Sequence, residues 1–402
     1  MFKRETMGRE GLRQLVGNGL FMLLVFLFVA DPTNTIFGLK MVVFALLLGY
    51  NVLFFRAEWT QLRYFFLCSV ALLVTWLFAS LRGEIIDGGE VRAVFTAIAP
   101  LLLLPWIYRY DVLKLSVIPV VAVVCVVLFL YWLVVFVPRM EGIIYLYMCA
   151  HDHTIMLSRR VFVGFSMFGM YCKSTVAFLP VFALLLYRFY TPVLRKAWVV
   201  VCVLLFVHLF LISGTRSTIV LPTFLAILIF FLFYRNKRYV NYVIYPSAMA
   251  MGLGFVAVLA LLLMEVGEHS NMVKYAHLYS YKELFTENPI YLLLGQGPGT
   301  AFYTAGFNKM SLKTEWTYME LLRNYGIFSL LLLYAFVRPL ASLLRLACKD
   351  DEAMVLAVTY VVYLVIAGTN PLLLSSTGML VLLTMFSYVR RCKTKAINSC
   401  VV

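Results

Sequence analysis

Charge is scarce in this sequence: Asp, Glu, Lys and Arg together make up only 13% of its 402 residues, and just 19 residues are acidic. A globular domain usually carries about a quarter charged residues, so an ordinary soluble surface is excluded. What fills the gap is apolar, 63% hydrophobic residues with a mean hydropathy of +0.92. No soluble core can hide that much apolar surface. Cysteines in metal-ligand spacing are also missing. Of the eight, most lie inside apolar runs (Cys68, Cys125, Cys172, Cys202) or near the C-terminus (Cys392, Cys400), which argues against a zinc site or a disulfide framework. No internal repeat is visible, and no small-residue cleavage site follows the basic start and the apolar run at 18–30, so that run reads as a span and not as a signal peptide.

What is present is a series of apolar segments of roughly 17 to 25 residues, each long enough to cross a hydrocarbon layer of about 30 Å as a helix. The expected fold is an all-α integral membrane protein, a single polytopic domain over 1–402 with about twelve spans. They fall at 18–30, 36–55, 62–81, 91–110, 112–137, 162–187, 197–213, 217–234, 239–265, 317–344, 354–370 and 374–390. The formal charge of +15 comes from short Lys and Arg clusters between spans, so it reads as a topology signal and not as a nucleic-acid surface. With both termini cytoplasmic, basic residues inside outnumber those outside by roughly two to one, the sense the positive-inside rule requires. The long connection 266–316 then faces outward as an ordered cap: a helix at 271–285, a break at Asn288-Pro289, and a glycine-rich turn at 295–299.

The topology rule gives no reason for the outer basic residues. Arg159, Arg160 and Arg216 sit at span entrances, where an anionic headgroup or ligand approaches. Arg216 follows the short turn Ser213-Gly214-Thr215 and opens a helix, whose unpaired N–H groups attract anions and whose dipole disfavours a cation. That mismatch favours a phosphate-binding role over a snorkelling surface arginine. Glu315, Tyr318 and Arg323 are expected to share one face of the helix after the cap, with Glu320 more lateral. Either Glu315 pairs with Arg323 structurally, or it is a carboxylate poised as a general base. Leu294-Gly295-Gln296-Gly297-Pro298-Gly299-Thr300 lacks the Gly-Lys-Ser/Thr ending of a nucleotide loop. It reads as a turn, with Gly297 and Gly299 as secondary candidates for holding phosphate through backbone N–H groups. His151-Asp152-His153 lacks a further ligand, so the 139–160 connection reads as a solvated loop and no metal is expected. His269 and His277 are reserve acid–base candidates.

The run from Tyr281-Lys282-Glu283-Leu284 through Glu287-Asn288-Pro289, the glycine-rich turn, Phe302-Tyr303, Thr314-Glu315-Trp316-Thr317-Tyr318 and Asn324-Tyr325-Gly326-Ile327 resembles bacterial surface-polysaccharide polymerases of the O-antigen polymerase (Wzy) type. Those polymerases fall in a superfamily shared with O-antigen ligases. Arg216 in its turn, the Arg159-Arg160 entrance and Thr369-Asn370-Pro371 fit the same pattern. The resemblance implies a bundle of the GT-C class and a metal-independent, inverting glycosyltransferase of the bacterial inner membrane. Its substrates would be undecaprenyl-pyrophosphate-linked glycans at the periplasmic face, with no cofactor, a membrane-lipid environment, a possible chain-length regulator as partner and no nucleic acid. It places Glu315 and Arg216 in catalysis and Arg159, Arg160, Lys282, Gly297, Gly299, Tyr318 and Arg323 in substrate binding. Ligases typically carry histidine then asparagine where this chain has Glu315 then Trp316, which favours polymerase. An O-antigen ligase, and a flippase or transporter of lipid-linked oligosaccharide, stand as alternatives.

Overall fold

In the computed structural model, which describes residues 8–151, 154–162, 165–190, 196–234 and 269–399, only the backbone is described at a few of these positions, Arg160 and His269 among them. Helix α1 (Arg9–Ala30) stops where its apolar run meets Asp31. That carboxylate is fully buried and accepts the N–H groups of Thr35, Ile36 and Phe37, reversing the chain into α2 (Lys40–Phe54). Lys40, also buried, donates to Pro32 O at 2.8 Å and to Ser376 Oγ at 3.3 Å. This lysine, within an expected span, is therefore a clamp between the first turn and the last helix.

Helix α3 (Arg63–Leu81) is followed by α4 (Gly88–Ile98), which the Asp87 carboxylate caps by accepting from Gly89 and Glu90 N–H. The rest of the 91–110 span tightens into 3₁₀ turns over Ala99–Arg109, where Pro100 and Pro105 remove donors that an α-helix needs. Helix α5 (Val112–Phe136) leads to α6 (Met140–Ala150) and an antiparallel hairpin, β1 (Ile155–Phe162) with β2 (Phe165–Cys172), in the register Ile155 opposite Cys172 to Phe162 opposite Phe165. Two expectations are corrected here. The 139–160 connection is a helix and a strand instead of a solvated loop, and the 162–187 span is helical only after Ser174. Hydropathy averages over a window and cannot separate an apolar strand from an apolar helix. The aromatic residues Phe168 and Tyr171 suit a pleated surface.

Then come α7 (Leu179–Tyr190), α8 (Lys196–Ile212) and α9 (Arg216–Tyr234). The expected span 239–265, with the start of the 266–316 connection, lies outside the described residues. Helices α10 (His269–Glu287) and α11 (Ile290–Leu294), a short hairpin of β3 (Phe302–Thr304) and β4 (Lys309–Ser311), and α12 (Thr317–Tyr325) follow. The span expected at 317–344 is interrupted at Gly326, whose φ is +51° and where a Cβ would lie 2.5 Å from Leu293 O. Helix α13 (Ser329–Ala347) resumes beyond it, then α14 (Asp351–Gly368) and α15 (Ser376–Ser399). Among the described residues, 7 helices are long and apolar enough to cross a membrane. Every residue from Leu179 to Leu186 of α7 is buried, so α7 is a central helix, whereas α3 and α8 each leave one apolar side exposed. A helix apolar all round belongs at a bundle's centre.

The helices sort the polar residues to two ends. At one end Arg390 pairs with Glu58 and Arg391 with Asp111, the Tyr388 hydroxyl donates to Asp350, and Gln14 Nε2 donates to Arg109 O at 3.2 Å. At the other end the Ser174 hydroxyl donates to Val29 O, Thr33 and Thr154 hydroxyls lie 2.9 Å apart, and the Thr317 hydroxyl donates to Asn370 O. This second end carries the hairpin, the α8–α9 turn and the 269–316 segment.

Candidate functional site

At that end α12 begins at Thr317, one residue after Trp316, whose indole N–H donates to Lys274 O at 3.1 Å. Glu315 therefore precedes the helix and lies against α10, where its carboxylate is 3.3 Å from Lys274 Nζ and both side chains are partly exposed. Glu315 and Arg323 are not partners. Arg323 is instead fully buried, with Nε and Nη2 on Glu320 Oε2 at 3.1 and 2.8 Å, one helical turn back. Its remaining N–H groups reach Gln296 Oε1 at 2.7 Å, Thr300 O at 2.9 Å and Leu312 O at 2.9 Å, and its plane lies 4.5 Å from the Phe302 ring centroid. The other oxygen of Glu320 accepts from the Tyr281 hydroxyl at 2.5 Å and from Thr314 N–H at 3.0 Å. A buried charge pair persists only when its lone pairs and protons are satisfied in this way. These contacts make Arg323 a latch that ties the glycine-rich turn, Leu312 and, through Glu320, Thr314 to α12. Burial, then the Glu320 carboxylate, pushes the Tyr281 phenol well above its usual range, so it acts here as a donor.

The glycine-rich turn is packed inward. Gln296 and Gly297 N–H donate to Arg323 O at 2.6 Å and Asn324 O at 3.2 Å, so these amides are not offered to a ligand. Gly297 has φ +110°, and a Cβ there would stand 2.3 Å from that of Ala79 on α3. Gly299 lies against Asp87, whose N–H donates to its carbonyl at 2.8 Å. Arg82 donates to Gly295 O and Gln296 O at 2.7 and 2.9 Å, and Lys313 pairs with Glu90. Tyr318 faces elsewhere: its hydroxyl donates to Leu364 O at 2.8 Å and its ring covers Gly368 of α14. Lys282 is exposed on α10, next to the buried Tyr281. Hence Glu315, Tyr318 and Arg323 do not form one face, because Glu315 stands before the helix and the other two turn to different neighbours.

Strand β2 borders two of the remaining candidates. Phe168 lies opposite Arg159, whose guanidinium is 3.3 Å from Glu141 on α6. Gly169, next along, packs against Gly214, two residues before Arg216. Burial raises the Tyr171 phenol above its usual range, with the Cys172 thiol and then the Glu315 carboxylate adding to the effect. Successive residues of a strand face opposite ways, so Phe168 on the Arg159 side and Gly169 on the Gly214 side mark the two faces of the hairpin. Arg216 is half-buried as the first residue of α9. The turn before it is locked by Ser213, Thr215 and Thr218 hydroxyls bonded to one another.

His277 is buried, sits one turn from Lys274 and meets Phe307 edge-on at 4.4 Å. Neither ring nitrogen has a hydrogen bond among the described residues. Burial lowers its pKa, and the Glu315 and Glu320 carboxylates oppose that. The side chains of Arg160 and His269 lie outside the described residues, as do Asp152 and His153. Sequence reasoning missed Lys274 as the partner of Glu315, because no local pattern links residues 274 and 315.

The architecture defines a helical membrane protein whose polar, structured segments gather at one end of the bundle. No protein-family model matches the chain, and no curated protein is significantly similar to it.

Proposed function

We propose that the chain is a bacterial surface-polysaccharide polymerase with about twelve spans of the inner membrane. On this reading both termini are cytoplasmic and the site faces the periplasm. The observation that carries it is the gathering, at one end of the bundle, of a half-buried arginine at a helix start, Arg216, and a partly exposed carboxylate, Glu315, held beside Lys274. The donor is a glycan on undecaprenyl pyrophosphate, and the acceptor is a lipid-linked repeat unit. The acceptor hydroxyl attacks the donor's anomeric carbon, a new C–O bond forms with inversion, and the bond to pyrophosphate breaks. Glu315 takes the hydroxyl proton, and Arg216 stabilises the charge that develops on the departing pyrophosphate. Lys274, held at 3.3 Å, fixes the carboxylate on α10.

The test is extension of lipid-linked repeats by purified protein in detergent, read as a ladder of products. Laddering without a second compartment supports polymerisation. Strict dependence on a lipid-core acceptor would replace the reading with ligation, and failure to make any glycosidic bond would leave only transport.

A further inference from the structure

Between α6 and the β1–β2 hairpin lies a cavity of about 480 Å³ whose walls include Arg139, Glu141, Tyr145, Ser158, Arg159 and Phe168. Arg139 turns the chain from α5 into α6 with φ +71°, and among the described residues its guanidinium makes no hydrogen bond or ion pair. Arg159 enters from the hairpin and meets Glu141 at 3.3 Å. Two cations and one anion leave the lining with a single net positive charge. Helix α6 follows α5 after a three-residue turn and exposes Ile143, Leu146 and Tyr147 along one stripe while burying Ile144 and Met148 on the other. Helix α5 also has an exposed apolar side, which carries Phe129, Trp132 and Phe136. A short helix with an apolar, tyrosine-bearing face at the end of a long apolar helix lies in the membrane interface. Its cavity then stands at the depth of lipid headgroups, with an apolar track for acyl chains running down α5.

We propose that this cavity is a binding site for the phosphodiester of an anionic glycerophospholipid, held between Arg139 and Arg159. The single net positive charge matches a monoanionic phosphodiester, whereas a pyrophosphate would bring its extra negative charge against Glu141. The assignment does not depend on the proposed polymerisation, because it requires no turnover.

The experiment is native mass spectrometry of the full chain in detergent, titrated with phosphatidylglycerol, phosphatidylcholine or undecaprenyl pyrophosphate, for wild type, Arg139→Gln, Arg159→Gln and the double variant. Phosphatidylglycerol should bind in preference to phosphatidylcholine, and each substitution should weaken it about tenfold, as expected for loss of one charge-assisted contact. Arg139→Gln keeps the test sound, since this exposed side chain holds nothing together among the described residues. Equal binding of phosphatidylcholine, or unchanged phosphatidylglycerol binding by the double variant, overturns the proposal. So does displacement of phosphatidylglycerol from wild type by undecaprenyl pyrophosphate at comparable concentration, because the cavity would then be a substrate site.

Discussion

Replacing Arg323 by Met should loosen the whole segment from Gln296 to Thr314 without disturbing the transmembrane helices. The guanidinium makes five contacts of 3.1 Å or less, two to Glu320 and one each to Gln296, Thr300 and Leu312. Methionine fills much of the volume but supplies no donor, so the Glu320 carboxylate loses its counter-charge while two carbonyls lose a partner. Removing one member of a buried ion pair costs about 3–5 kcal/mol, which raises the opening constant of the segment by roughly two to four powers of ten. Local opening is read by hydrogen exchange at Gln296, Gly297 and Thr314, whose N–H groups the latch protects directly or through α12. Adding Glu320→Gln to Arg323→Met removes the stranded charge and should recover part of the protection. Lys274→Met is the control, since its pair with Glu315 is partly exposed and such pairs contribute about 0–1 kcal/mol. Exchange in Arg323→Met within a few-fold of wild type would refute the latch and return Arg323 to the list of residues available to a ligand.

Glu315→Gln should keep folded yield and lose product laddering by about 10²–10⁴, the range of general-base catalysis; undiminished laddering removes Glu315 from the chemistry. Gly297→Ala tests the glycine-rich turn: it preserves the amide but drives a Cβ to 2.3 Å from that of Ala79. It should lower folded yield on size-exclusion chromatography by a strain of about 1–3 kcal/mol; unchanged yield would refute the close packing of this turn on α3. His277 titrates below its ordinary value of 6.5 in the folded protein because of burial. The unfolded chain therefore binds the proton more readily, and the stability from keeping the ring neutral is complete above pH 6.5 and falls as pH drops toward the folded pKa. Melting temperature should decline over that window in wild type and less in His277→Met; parallel declines would show that other groups carry the acid sensitivity.

Much of the architecture is determined locally. Long apolar runs with charged interruptions leave a chain no alternative but to satisfy its backbone within helices in an apolar medium. Hence α3, α5, α9 and α14 lie close to where hydropathy puts them, while α1 starts nine residues earlier, at Arg9. Turn chemistry is equally local, so Asn288-Pro289 and the glycines at 295–299 were legible as breaks. The same averaging that finds helices hid the hairpin, because Phe165 to Cys172 is as apolar as a span while pairing with Ile155 to Phe162 is a long-range choice. Helical spacing likewise offered Glu315 as the partner for Arg323, with Glu320 more lateral. Only the position of the helix start at Thr317, set by Trp316 docking on Lys274 O, puts Glu320 on the arginine and Glu315 on Lys274. Where a carboxylate sits in sequence limits which neighbours it can meet, but desolvation energy, which acts through contacts between distant segments, decides which one it keeps.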